Sequence, residues 1–132
     1  MKMHKKSQSS MEFFALVGLA FLATILFVAI TVNEVKEFSN QKKFLIIKDL
    51  ALRLQKEVTI AAYAEDGYER SFTLEDKLEG KIDYFVIVTN SSINVNSSKA
   101  AFSVRIPLIY GKNFTKGSNM VEKTNGKVYV NK

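Results

Sequence analysis

The stretch Phe13–Val32, FFALVGLAFLATILFVAITV, contains twenty consecutive residues without a charge. A helix rises about 1.5 Å per residue and the hydrocarbon core of a bilayer is about 30 Å thick, so this run is long enough to cross a membrane. Lys2, Lys5 and Lys6 precede it, whereas the first charge after it is Glu34. Because positive residues favour the cytoplasmic side, we predict a spanning helix with a cytoplasmic N-terminal end and an external C-terminal domain.

A secretory signal peptide is one alternative to a retained helix. Its apolar stretch is typically about 7–15 residues long and ends at a cleavage site of the small-x-small type. The run here is longer, and Asn33-Glu34-Val35-Lys36 after it offers no such site. Hydropathy therefore favours a helix that stays with the chain, as in an ordinary single-pass anchor.

A short motif stands directly before the apolar run. The residues Gln8-Ser9-Ser10-Met11-Glu12 resemble the class III signal sequence of archaeal type IV pilins, which has the pattern Gln-x-Ser-x-Glu ahead of a hydrophobic helix. The resemblance implies that a prepilin peptidase cuts between Ser7 and Gln8 on the cytoplasmic side and leaves the helix on the mature chain. It also implies that Gln8, Ser10 and Glu12 form the processing and assembly motif. Gly or Ala is commoner than Ser at the position of Ser7 in that family.

Glu12 places a carboxylate at the start of the apolar run, where a charge near lipid is costly and is usually kept for a function. In the related bacterial pilins the equivalent glutamate lies beside the N-terminal amine of a neighbouring subunit. The resemblance implies that Glu12 sets subunit register, because a misaligned subunit would leave the charge buried and unpaired. Two alternatives remain: Glu12 stays at the level of the lipid headgroups, or it stabilises the helix N-terminus through the macrodipole. Cyclisation of Gln8 after cleavage would remove the amine.

The helix is predicted to continue beyond the membrane, because neither Gly nor Pro occurs between Gly18 and Gly67. We predict a leader over residues 1–7 and one long helix over residues 8–64, apolar over 13–32 and amphipathic over 42–64. A stripe with spacings of three and four marks one helical face: Phe44, Ile47, Ala51, Leu54, Val58 and Ala61. We expect this core stripe to pack against the rest of the chain.

Residues 65–132 are predicted to form an extracytoplasmic β domain. Ile82–Val88, IDYFVIV, is typical of a strand at the centre of a sheet, and Ser92–Val95 indicates a short edge strand. A further alternating run extends from Phe102 to Leu108, and Asn125-Gly126 predicts a hairpin near the C-terminal end. The expected fold is α+β, with the long helix packed on a small antiparallel sheet of four to five strands, as in the lollipop form of pilins.

Residue types that support catalysis are scarce. The single histidine, His4, lies in the predicted leader and the chain has no cysteine, so a serine nucleophile in the mature protein has no imidazole base. Metal-ligand spacings and a phosphate-binding Gly-rich loop are also missing from the sequence. We therefore predict no enzymatic activity and no cofactor.

The positive charge belongs partly to the leader. Without residues 1–7 the formal net charge falls from +6 to +3, and the remaining lysines are interspersed with acidic residues instead of being clustered. Nucleic acid is therefore not predicted as a partner. Three Asn-x-Ser/Thr sequons begin at Asn90, Asn96 and Asn113, each in a predicted external loop or strand end, and are possible N-glycosylation sites.

Taken with the resemblance, these features predict a structural subunit of an archaeal type IV pilus-like surface filament. The resemblance implies four partners besides the membrane: further copies of the chain, a prepilin peptidase, an assembly ATPase and a platform membrane protein. The alternatives are a minor pilin or pseudopilin that primes or tips the filament, and a monomeric membrane-anchored surface-binding protein. Adhesion, motility and DNA uptake all remain open as uses of the filament.

Overall fold

The computed structural model describes the backbone of residues 4–132 and the side chains of residues 10–132. Met1–Met3 and the side chains of Ser7 and Gln8 at the predicted cleavage site lie outside this description. The order of elements is α1 (His4–Tyr63), β1 (Glu69–Leu74), β2 (Tyr84–Thr89), β3 (Ser92–Ser97), β4 (Ala101–Arg105), β5 (Ile109–Gly111), β6 (Gly117–Thr124) and β7 (Lys127–Val130). The chain divides into two units, Met1–Ser39 and Asn40–Lys132.

The first unit is the N-terminal part of α1. In the part of the chain that the structure describes, the stretch Ser10–Tyr63 of this helix is long and apolar enough to cross a membrane, and its apolar window is 0% buried. The uninterrupted helix predicted from the absence of Gly and Pro after Gly18 is confirmed, and it ends at Tyr63.

The second unit contains the C-terminal part of α1 and all seven described strands. The core stripe of α1 is buried as predicted, since five of its members are 0% exposed: Ile47, Ala51, Leu54, Val58 and Ala61. The sixth, Phe44, is 41% exposed and meets Phe102 edge-on, with ring centroids 5.9 Å apart. The helical face therefore packs against strands from both sheets, together with Ile93, Val95, Val121 and Val130.

The strands form two sheets. One has four strands in the order β1-β6-β7-β5, in which β6 is antiparallel to both neighbours and β7 is parallel to β5. The other is the antiparallel meander β2-β3-β4. The α+β class is confirmed, with seven described strands in two sheets where four to five in one sheet were predicted. The short strand β5 is formed by parallel pairing with β7, and a pairing between distant segments cannot be predicted from a local sequence pattern.

The two strands of the first hairpin have the reverse of their predicted positions. The run IDYFVIV supplies β2, which is an edge strand, whereas β3 is central in its sheet. Strand β2 places Phe85 and Ile87 on the outer face, 56% and 44% exposed, so its apolar residues serve two different surfaces. Strand β3 needs only Ile93 and Val95 in the core, and hydrogen bonding to both neighbours makes it central.

Two turns show why the strands end where they do. The predicted strand through Leu108 ends at Arg105, because Pro107 lacks an N–H and the N–H of Ile106 donates to the carbonyl of Ser91 instead (3.0 Å). The Asn125-Gly126 hairpin is confirmed between β6 and β7, with φ of 53° and 72° at its two central residues. Two positive φ values define a type I′ turn, which suits the twist of paired strands.

Side chains fasten the end of α1 to the sheets. Lys123 Nζ on β6 donates to the carbonyl oxygens of Ala62 and Ala64, both at 2.8 Å. The buried Glu57 pairs with Arg70 on β1, with Oε2 and Nε 3.1 Å apart. The last carbonyls of a helix have no partner within it, so Lys123 supplies both hydrogen bonds and a favourable charge there.

Candidate functional site: an exposed apolar helix

The largest apolar surface of the first unit is the helix itself. Between Met11 and Val32 every large apolar side chain is exposed, from 40% at Val17 to 74% at Met11. The others are Phe13, Phe14, Leu16, Leu19, Phe21, Leu22, Ile25, Leu26, Phe27, Val28, Ile30 and Val32. These residues cover all sides of the helix, so the segment has no polar face to present to water. Such a surface indicates contact with lipid or with other protein.

The polar groups inside this segment have partners within the helix. Thr24 Oγ1 donates to the carbonyl of Ala20 and Thr31 Oγ1 to that of Phe27, each at 2.9 Å. Backbone groups are satisfied by the helix, and these hydroxyls do not need water. The segment can therefore enter an apolar environment without leaving the two hydroxyls unpaired.

Small residues also lie on the surface of the apolar part of α1, between the large side chains. A methyl group at Gly18 would meet nothing within 4 Å outside the local helix, so the glycine is not required for packing within this chain. Ala15, Ala20, Ala23 and Ala29 are also small and exposed. Small residues at a helix surface allow the backbones of neighbouring helices to approach closely.

The described part of the predicted motif is exposed. The side chains of Ser10 and Glu12 are both exposed on α1. The helix begins at His4, so Glu12 lies beyond its first turn. Because the macrodipole acts within the first turn, stabilisation of the helix N-terminus does not account for Glu12 in the uncut chain.

The three sequons lie at different places in the β domain. Asn90 is exposed in the two-residue turn between β2 and β3, and Asn96 is half-buried on β3, on the face opposite Ile93 and Val95. Asn113 is exposed after β5, where its Oδ1 accepts from the N–H of Val88 at 3.2 Å. Asn90 and Asn113 lie in loops, whereas Asn96 lies within β3, one residue beyond the predicted end of that strand; glycosylation itself stays a prediction.

A cleft of about 460 Å³ lies between α1 and the segment that connects β1 to β2. Lys42 and Glu79 form an ion pair across it, with Nζ and Oε2 3.0 Å apart. At its floor, the hydroxyl of Tyr84 donates to the carbonyl of Glu75, and burial, followed by the nearby carboxylates of Glu75 and Asp76, raises the pKa of Tyr84. The described residues contain no group of three or more acidic, His or Cys side chains placed to hold a metal ion.

A second apolar surface was missed by the sequence interpretation. Leu45, Leu52 and Tyr63 lie on the C-terminal part of α1 and are 60%, 41% and 86% exposed. We call these three residues the outer stripe. The sequence contains a pattern that could have predicted this surface, because the apolar residues Phe38, Leu45 and Leu52 follow one another at intervals of seven.

Comparison with protein-family models, with curated proteins and with solved structures finds no match for this chain.

Proposed function

We propose that this chain is a structural subunit of an archaeal type IV pilus-like surface filament. Before assembly it is held in the membrane by the apolar part of α1, with the β domain outside. A prepilin peptidase removes residues 1–7, and the mature chain, starting at Gln8, is then built into a filament through its apolar helix. An assembly ATPase and a platform membrane protein are the further partners of this proposal.

One observation supports the proposal above the others. The exposed apolar segment and the buried core stripe belong to one uninterrupted helix, α1. A removable signal segment has no need to continue into the core of the domain that it delivers. A subunit that polymerises through its helix does need this, because the helix must link each β domain to its neighbours.

The energetics of assembly follow from the exposed side chains. Lipid tails are as apolar as leucine, so leaving the membrane for a bundle of helices is not driven by hydrophobicity alone. Close packing at small residues such as Gly18 and Ala23 supplies the additional van der Waals contact. The hydroxyls of Thr24 and Thr31 stay bonded to their own helix during the exchange.

In this proposal the carboxylate of Glu12 sets the register. A filament core excludes water, and an isolated carboxylate in such a place costs several kcal/mol. The N-terminal amine that cleavage creates on the neighbouring subunit is the proposed partner. Correct register then pairs both charges, and every other register leaves them buried alone.

The test is Glu12→Gln in the cells that produce the chain, with Glu34→Gln as the matched control at the other end of the apolar run. Mass spectrometry of Glu12→Gln should still find a chain that begins at Gln8 or its cyclised form. The yield of sheared surface filaments should fall more than tenfold, since about 1.4 kcal/mol per contact is enough for tenfold. Glu12→Asp should be intermediate, because the charge remains and its reach is shorter.

The other outcomes separate the alternatives. A parent protein that keeps Met1 and forms no filaments would indicate a monomeric anchor, and a chain that begins beyond Val32 would indicate a secretory signal. Low abundance and a location at filament ends would indicate a minor pilin. Unchanged filament yield in Glu12→Gln would refute the register role of Glu12, and an equal loss of yield in Glu34→Gln would show that any carboxylate at the boundary of the apolar run has the same effect.

A further inference from the structure

The outer stripe lies on the side of α1 that faces away from the core. Leu45 and Leu52 each precede a fully buried residue, Leu54 and Ala61, by nine positions. Nine residues make two and a half helical turns, so each pair points to opposite sides of the helix. The C-terminal part of α1 therefore carries apolar residues on two sides: the β domain covers the core stripe, whereas the outer stripe stays exposed, with Leu45 at the edge of the cleft beside the segment that connects β1 to β2.

Charged residues alternate with the leucines along the same side. Lys42, Asp49 and Lys56 are exposed and are seven residues apart. Each lies three or four positions from a leucine, so leucines and charges occupy the d and a positions of a heptad pattern. The charges follow the order positive, negative, positive.

We propose that the outer stripe docks on the outer stripe of a second copy, in parallel and shifted by one heptad along the helix axis. The shift corresponds to about 10.5 Å at the standard rise. This inference rests on the proposed function, in which copies of the chain assemble through α1 with the same orientation in the membrane.

The charge order selects this shift. Without a shift, Asp49 would meet Asp49, and each lysine would meet its own equivalent, which gives three repulsive pairs. With a shift of seven residues, Lys42 meets Asp49 and Asp49 meets Lys56, while Leu45 meets Leu52. A shift of fourteen brings Lys42 to Lys56 and is repulsive again. One heptad is thus the arrangement that keeps the leucine layers and places Asp49 opposite a lysine in both directions. Asp49 and Lys56 are the main charge pair of this arrangement, since Lys42 is shared with Glu79 of its own chain.

Such a contact also explains an open assembly. A shifted contact joins two different parts of the stripe, so each copy keeps one part free for the next copy. Contacts of this heterologous kind generate filaments when they do not close into rings. An unshifted contact would cover the whole outer stripe of both copies, so no part of the stripe would remain for a third copy and assembly would stop at a dimer.

Disulfide cross-linking tests the shift directly, because the chain has no cysteine of its own. Two differently tagged full-length copies, one with Leu45→Cys and one with Leu52→Cys, are produced together and the sheared filaments are oxidised. Disulfides require Cα atoms within about 7 Å. We expect mixed-tag dimers at least fivefold above those from Leu45→Cys alone. Leu108→Cys, at an exposed residue outside the stripe (55%), sets the level of chance contact.

A second experiment exchanges charges. Asp49→Lys should reduce filament yield, and adding Lys56→Asp should restore it at least threefold over Asp49→Lys. Recovery is partial, because Lys42 then still meets a lysine. The two positions are about 10.5 Å apart along one helix, too far for a direct ion pair. Arg53 lies within one turn of both, so the melting temperature of each variant is measured as well, and recovery of filament yield without recovery of the melting temperature assigns the effect to contacts between copies. Lys42 is left unchanged because it already pairs with Glu79.

The outcomes distinguish this inference from the proposed function. Equal cross-linking in Leu45→Cys alone would establish an unshifted contact and overturn the inference. Filaments of normal yield without cross-links above the Leu108→Cys level, or cross-links only to another protein, would overturn it while leaving the filament proposal standing. Absence of filaments from the parent chain would refute the proposed function itself.

Discussion

Replacing Lys123 by methionine should destabilise the β domain by about 2 kcal/mol. The change keeps most of the aliphatic length and removes the ammonium group that bonds the carbonyls of Ala62 and Ala64, both at 2.8 Å. Hydrogen bonds to a charged group contribute about 1.5–3 kcal/mol each, and a cation at a helix C-terminus adds about 0.3–1 kcal/mol. Lys123 and both alanines are only half-buried, so water replaces part of this energy in the variant. The expected loss of about 2 kcal/mol therefore lies below the roughly 3.3–7 kcal/mol to which the two hydrogen bonds and the charge would sum if they were shielded from water.

The assay is thermal unfolding of the fragment 33–132, which contains the whole second unit, followed by circular dichroism. For a domain of roughly 100 residues, about 2 kcal/mol lowers the melting temperature by about 8–16 °C. Lys99→Met is the matched control, since Lys99 is exposed in the turn between β3 and β4. Surface changes of that kind usually stay within about 0.5 kcal/mol.

The comparison with the parent fragment and with Lys99→Met decides whether Lys123 stabilises the helix end. If Lys123→Met melts within about 2 °C of both the parent fragment and Lys99→Met, then water caps the last turn of α1 as well as lysine does. The link from β6 to the helix end would then contribute nothing to the stability of the fold.

Two further expectations concern the same fragment. Fragment 33–132 should be a soluble monomer with helix and sheet signals in circular dichroism, because Asn40–Lys132 has its own core and the few exposed residues of the outer stripe are too small a contact to hold copies together without the apolar helix. Filament formation by this fragment would show that the apolar helix is not the polymer core. Burial and nearby carboxylates raise the pKa of Tyr84 above the usual 10, so its contribution is fully present below pH 10 and is lost as the pH rises through the folded-state pKa. Urea titrations should therefore find a steeper alkaline loss of stability in the parent than in Tyr84→Phe, and equal slopes would contradict this.

Local patterns predicted the helical part of the fold well. The uninterrupted helix and its core stripe follow from spacings of three and four and from the absence of Gly and Pro, all of which act within a few residues. The prediction of a single apolar face on this helix left out Leu45 and Leu52, which lie on the other side. Exposure in the folded chain distinguishes the two faces: Leu54 is 0% exposed, whereas Leu45 is 60% exposed.

Some features of the polar and apolar groups can also be predicted from the sequence, whereas others depend on the fold. The apolar run and the motif from Gln8 to Glu12 are contiguous in sequence, so their chemistry can be predicted without a fold. Asn119 shows the opposite case, because one of the hydrogen bonds that satisfy its side chain at 1% exposure comes from the amide of Asn131. Asn131 follows β7, so the pairing of β6 with β7 brings it to Asn119.

Four features follow from the amino-acid sequence, since each depends on residues close together in the chain: the apolar helix, its continuation beyond the apolar run, the core stripe and the hairpin at Asn125-Gly126. Three others arise from the folded chain alone: the division into two sheets, the parallel pairing of β5 with β7 and the capping of α1 by Lys123. These features join segments that are distant in sequence. Their free energy comes from burial and hydrogen bonding between partners that local propensity does not identify.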